Sequence, residues 1–201
     1  MANTTEKHNK EKNILVIGGP SGVGESTITK EIIKRFPIFT RLVTATTRKP
    51  RLGEKDKVDY YFFSKDKFLA EIKKGNIIEY TYIKNRDVYY GSYKPDLEKK
   101  LRQGYKIIVN PDIVGARYYK KHYQATTIFI KPDSMANLKK RQLARNPNID
   151  PDELKKRLAY AREEIKKEAP FYDYIVVNRQ GEMEKTIEKI VKILEKEGYG
   201  I

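Results

Sequence analysis

One continuous apolar run, NILVIGG (13–19), and three further strand-like runs, YKIIV (Tyr105–Val109), TTIFI (Thr126–Ile130) and YDYIVVN (172–178), mark the chain. Runs without polar alternation read as strands buried on both faces, as in a parallel sheet. Between them apolar residues recur at helical spacing, as Ile28, Ile32, Ile33 and Phe36 do in STITKEIIKRF. Strands alternating with helices predict an α/β fold with a parallel-sheet core.

Two stretches break that rhythm. Between Thr44 and Ser92 lie VDYYFF, IIEYTYI and VYYGS, aromatic and β-branched strand candidates, with KNRD turning between the last two. They predict a small mixed or antiparallel insertion. Within it SKDKFLAEIKKG reads as a short helix, capped by Ser64 and stopped by Gly75. The second stretch starts near Ser134, where two helices flank NPNIDP. Asp150 reads as the N-cap, Pro151 as the first helical residue and Glu153 as the partner in a capping box. Arg141 and Arg145 share one face of the first helix, and Arg157 starts from the second.

A chain of 201 residues is long enough for one domain with a substantial core. It has no run of 18 apolar residues, so no membrane span is expected. The polar start MANTTEKHNKEKN lacks the apolar region of a secretion signal, and residues 1–12 are expected to be a disordered leader. With no cysteine, disulfides and thiolate metal sites are excluded, and a cytoplasmic setting is the expectation. The net charge of +15 sits largely on mixed-sign helix faces. Without a zinc-finger, RNP-type or helix-turn-helix pattern, nucleic acid is not the expected partner, whereas a pocket for small phosphorylated anions suits the excess of cations.

GGPSGVGEST (Gly18–Thr27) follows the first strand and opens the first helix. Gly19, Gly24 and Ser26 are in register with the phosphate-loop pattern G-x-x-x-x-G-K-[ST], but Glu25 stands where the pattern has lysine. The loop N–H groups and the helix N-terminus make an anion site whatever that side chain is; a bare strand-to-helix turn would use glycines in the same way. In TATTRKPRLGEKDKVDYYF, Arg48 and Arg51 bracket a proline, a placement suited to one phosphate, with Tyr60 as a further donor.

Taken with GNIIEY, VYYGS and YDYIVVN, these motifs resemble the guanylate kinase family in order and spacing from Ile14 onward. The resemblance implies a P-loop kinase fold with a parallel-sheet core at 13–43, 98–133 and 161–201, a GMP-binding domain at 44–97 and a helical lid at 134–160. It implies the reaction ATP + GMP → ADP + GDP with Mg²⁺, and dGMP as an alternative acceptor. Gly19, Ser21, Gly22, Gly24, Ser26 and Thr27 are then donor-phosphate contacts, with Ser26 a Mg²⁺ ligand and Asn178 near the adenine. Arg48, Arg51, Tyr60 and Tyr90 match GMP-phosphate ligands, and Thr44 lies near guanine O6. Glu79 and Asp112 match the carboxylates that accept from guanine, with Ser92 beside them. Arg141, Arg145 and Arg157 match arginines that close on the transferring group.

On the donor side the chain departs from its relatives: Glu25 replaces lysine, Asn110 stands for an aspartate, Val114 for a glutamine and Arg179 for an aspartate. The expected function is therefore γ-phosphoryl transfer from ATP to GMP or dGMP with an impaired donor site, by a monomer or homodimer. The alternative is a catalytically dead module on the same fold that binds GMP or a phosphorylated protein. Three readings of Glu25 stay open: a substitution in a working enzyme, a chain that binds without catalysis, or an outward-turned Glu25 with another cation serving the phosphates.

Overall fold

The computed structural model describes residues 12–201, so eleven of the twelve residues expected as a leader lie outside the described ones. Five parallel strands form the core sheet: β1 (Ile14–Gly18), β2 (Phe39–Arg41), β7 (Lys106–Val109), β8 (Thr126–Pro132) and β9 (Tyr174–Asn178), in the order β2-β7-β1-β8-β9. The unbroken apolar run of β1 is explained by its two faces. Leu15 and Ile17 pack with Ile28, Ile32 and Ile190 on one side, while Ile14 and Val16 pack with Leu97, Ala116 and Tyr119 on the other. Helices α1 (Glu25–Arg35) and α7 (Met183–Lys196) thus cover one face, and α3 (Lys94–Arg102) and α4 (Ile113–Tyr123) the opposite one. β2 was not among the expected strands. Its three residues carry no periodic signal, and the strand exists because its backbone pairs with β7 at Thr40 and Ile107.

The insertion is a four-stranded mixed sheet of β3 (Ala45–Thr46), β4 (Tyr61–Phe62), β5 (Ile77–Ile83) and β6 (Val88–Tyr93), ordered β4-β3-β6-β5. Helix α2 (Lys65–Lys73) closes it over a small cluster of Ala45, Phe63, Phe68 and Ile77. The Ser64 hydroxyl accepts from Lys67 N at 3.2 Å, and Gly75 ends the segment at φ 72°. β5 bulges between Ile77 and Tyr80 opposite Gly91, where a side chain would come within 2.8 Å of Ile77 Cγ2.

In the second insertion, α5 (Met135–Arg145) buries Leu138 in the core beside Val23, so this helix is docked on the phosphate loop's own cluster. Asp150 caps α6 (Pro151–Lys167), accepting from Glu153 N at 2.9 Å. The Glu153 carboxylate turns to Arg157 and Arg86. Both α3 and α6 are continuous through the boundaries expected at 97 and 160.

Candidate functional site

The C-terminal ends of β1, β7 and β2 open onto one cavity of about 670 Å³. β1 feeds the glycine loop, whose backbone demands glycine at two points. Gly24 holds φ 108°, and a Cβ there would lie 2.8 Å from Asn178 Nδ2; a Cβ on Gly19 would collide with the carbonyl of Ile130. Three side chains fasten the loop by its carbonyls: Gln142 Nε2 donates to Ser21 O at 2.8 Å, while Arg141 Nη1 (3.1 Å) and Asn178 Nδ2 (2.8 Å) donate to Val23 O. Helix α1 starts at Glu25 with no side-chain cap, so its first N–H groups and its positive end face the cavity that Glu25, Ser26 and Thr27 border.

Of the expected donor-side residues, Gly19, Ser21, Gly22, Gly24, Glu25, Ser26 and Thr27 all line this cavity, as do Arg141 and Arg145. The Arg145 side chain makes no hydrogen bond or ion pair among the described residues, whereas that of Arg141 also donates to Gln180 Oε1 (3.0 Å) and Asn178 O (3.1 Å). Arg157 is not at the cavity; its Nε donates to Glu153 Oε1 at 2.9 Å. Asn178 borders a neighbouring cavity of about 270 Å³ that shares Gly22, Gly24, Thr27 and Arg141 with the first, and its amide is already engaged with Val23 O and Thr186. Asn110 is tied down as well, donating to Ile17 O at 3.0 Å and accepting from Thr29 Oγ1 at 3.2 Å.

A second cavity of about 240 Å³ continues from the first, and Thr44, Tyr60, Asn110, Pro111 and Asp112 line both. Glu79 and Tyr90 line the second one. The Ser92 hydroxyl, fully buried, donates to Glu79. Asp112 caps α4, accepting from Val114 N (3.0 Å) and Gly115 N (3.2 Å), and also receives the Thr81 hydroxyl. Arg48 and Arg51 border neither cavity. Arg48 instead forms a two-pronged pair with Glu54 (2.8 and 2.9 Å) over the Tyr60 ring, and this pair holds the Glu54 carboxyl down at about 2. Arg51 is an exposed residue whose backbone N–H donates to Glu54.

The electrostatics are governed by burial. Glu25 is pushed up to about 8, first by burial and then by the negative charge of Glu164, which borders the same cavity. Glu164 is itself raised to about 7 by burial, then by Glu168 and Asp112. Glu79 is raised to about 7, again mainly by burial, with Ser92 opposing. Arg41 and Glu164 are cavity residues that the sequence did not single out. Arg41 ends a strand with no periodic signal, and Glu164 sits in the mixed-charge helix face REEIKKE, so neither carried a local mark.

A glycine loop between a buried strand and a helix, with a second cavity walled by an inserted sheet, defines a P-loop kinase fold. A family model described as guanylate kinase matches residues 11–197. The chain belongs to the guanylate kinase family. It is 37% identical over 186 residues to a guanylate kinase of Helicobacter pylori, covering 92% of this chain and 87% of the relative. It is 39% identical over 170 residues to that of Clostridioides difficile, covering 84% and 81%. The crystal structure of guanylate kinase from Anaplasma phagocytophilum superposes with a TM-score of 0.70 at 30% identity, covering 94% of this chain and 87% of that one. Among the described residues no helix is long and apolar enough to cross a membrane.

Proposed function

We propose that this protein transfers the γ-phosphoryl group of ATP to GMP or dGMP in a cytoplasmic setting, and that its donor side is impaired. The observation that carries the reading is the continuity of the two cavities. The phosphate loop lines one, the Glu79–Ser92 pair lies at the other, and Tyr60 and Asp112 stand where they meet. Two nucleotides laid in these cavities would bring their phosphates together over the start of α1.

On the acceptor side, guanine presents neighbouring N–H donors where adenine has none, so the carboxylates of Glu79 and Asp112 select it. The acceptor phosphate is already ionised and needs no strong base. On the donor side, the loop and the uncapped helix end hold the polyphosphate, and Arg145 is free to reach the transferring group. Ser26, an exposed residue bordering the cavity, would be the side chain that holds Mg²⁺. Such an ion leans on substrate phosphates and water more than on protein ligands. The ion's contribution when bound is charge neutralisation on the phosphoryl oxygens.

The impairment follows from Glu25 and Asn110. Glu25 gives the phosphates no cation, and Asn110 is neutral and committed to Ile17 O and Thr29. The test is binding and turnover in parallel: GMP, IMP and AMP titrated against the protein, and ADP formation from Mg·ATP with each. Expected are GMP binding well above AMP and slow, GMP-dependent turnover. Equal binding of GMP and AMP would refute the reading.

A further inference from the structure

We propose that Arg41 is a phosphate-binding residue of the acceptor half of the cavity, reaching the nucleoside monophosphate from the edge strand of the core sheet. The inference rests on the functional reading above and adds a residue to it.

Arg41 is the last residue of β2, at the same end of the sheet from which β1 leads into the phosphate loop. Ligands of open parallel sheets lie at that end, in the crevice beyond the strand termini. Arg41 borders the larger cavity together with Tyr60 and Thr44, both of which also line the second cavity. Its guanidinium is held in place but not neutralised. Nη2 donates to the carbonyls of Val58 (3.1 Å) and Asp59 (2.9 Å), and among the described residues no carboxylate pairs with it. Two neutral carbonyls fix the fork, leaving Nη1 and Nε to donate and the full positive charge in place.

The neighbouring arginines are differently disposed. Arg48 has both Nη groups on Glu54, and neither Arg48 nor Arg51 borders a cavity. Arg141 makes three bonds to Gln180, Val23 and Asn178 around the donor loop. Arg41 is thus the cation beside Tyr60 that a phosphate would meet without first breaking an ion pair. Its tether supplies a second property. By gripping Val58 and Asp59 it fixes the chain entering Tyr60, so one side chain places the phenol and the charge together.

Binding of GMP and of guanosine, which differ only by the phosphate, is measured by calorimetry on the full chain without ATP or Mg²⁺, for the parent, R41Q and R41K. R41Q retains a donor for the two carbonyls but loses the charge. A lost charge-assisted contact predicts about 10- to 100-fold weaker GMP binding, with guanosine unchanged and R41K recovering part of the loss. Should R41Q fail to fold, R41K alone decides, through a loss confined to GMP that guanosine does not share. GMP affinity equal to the parent's, or equal losses for GMP and guanosine, would overturn the inference. A parent that binds no GMP overturns the functional reading itself, and this inference with it.

Discussion

Replacing Glu25 with lysine restores the cation that the phosphate-loop pattern calls for, and its effect can be sized from the site. A lysine ammonium about 4 Å from a phosphate charge contributes roughly 4 kcal/mol at an effective dielectric near 20. The repulsion removed with Glu25 is smaller. Burial and Glu164 push its carboxyl up to about 8, so near neutral pH it holds a proton most of the time. The missing attraction therefore outweighs the added repulsion. At about 1.4 kcal/mol per decade, 4 kcal/mol corresponds to roughly a thousandfold in rate. The assay is GMP-dependent ADP formation from saturating Mg·ATP at pH 7, for the parent, E25K and E25Q. E25K is expected to be faster by about two to three orders of magnitude, while E25Q, which removes only the weaker term, should stay within about tenfold of the parent. An E25K variant no faster than the parent would refute the reasoning and show that the loop does not need a cation there. An E25Q variant as fast as E25K would show instead that the carboxylate, not the absent lysine, is the obstacle.

Glu79 should make stability pH-dependent in a defined direction. Its folded pKa near 7 lies above the ordinary 4.5, so the unfolded chain releases the proton first and stability falls as pH rises from about 4.5 to 7. E79Q, compared with the parent by thermal melts, should gain little at pH 4 and up to about 3 kcal/mol at pH 8, while losing affinity for GMP; an equal gain at both pH values would contradict this. Gln142 is buried, with Nε2 on Ser21 O and Oε1 without a partner. Q142L should therefore change stability by no more than about 1 kcal/mol yet weaken Mg·ATP binding severalfold, leaving GMP binding intact; unchanged ATP affinity in calorimetry would count against the loop-fastening role. Ile190 is fully buried between α7 and the sheet, and I190A should cost about 2–5 kcal/mol in denaturant unfolding; a cost below 1 kcal/mol would show that the site repacks.

The local features of this protein were open to sequence reading because each is decided within a few residues. The apolar run Ile14–Gly18 is a strand buried on both faces, and Gly19 and Gly24 are glycines because their backbone positions admit nothing larger. Ser64 and Asp150 cap their helices through the N–H three residues on. The aromatic stretches of the insertion pair as a mixed sheet. Tertiary structure decided what depends on distant partners. β2 is a strand through its pairing with β7, far along the chain, and that pairing brings Arg41 to the cavity. Arg48, which its spacing from Arg51 marked for a phosphate, is taken up by Glu54 once the loop curls over the Tyr60 ring. Arg157 faces its own helix at Glu153 rather than the cavity. Glu25 borders the same cavity as Glu164 of α6; burial and then Glu164 raise its carboxyl, while burial, Glu168 and Asp112 raise that of Glu164. Backbone preference and side-chain period act over one or two turns and are written in order along the chain. Charge and desolvation act through space, and their partners are known only once the fold has closed.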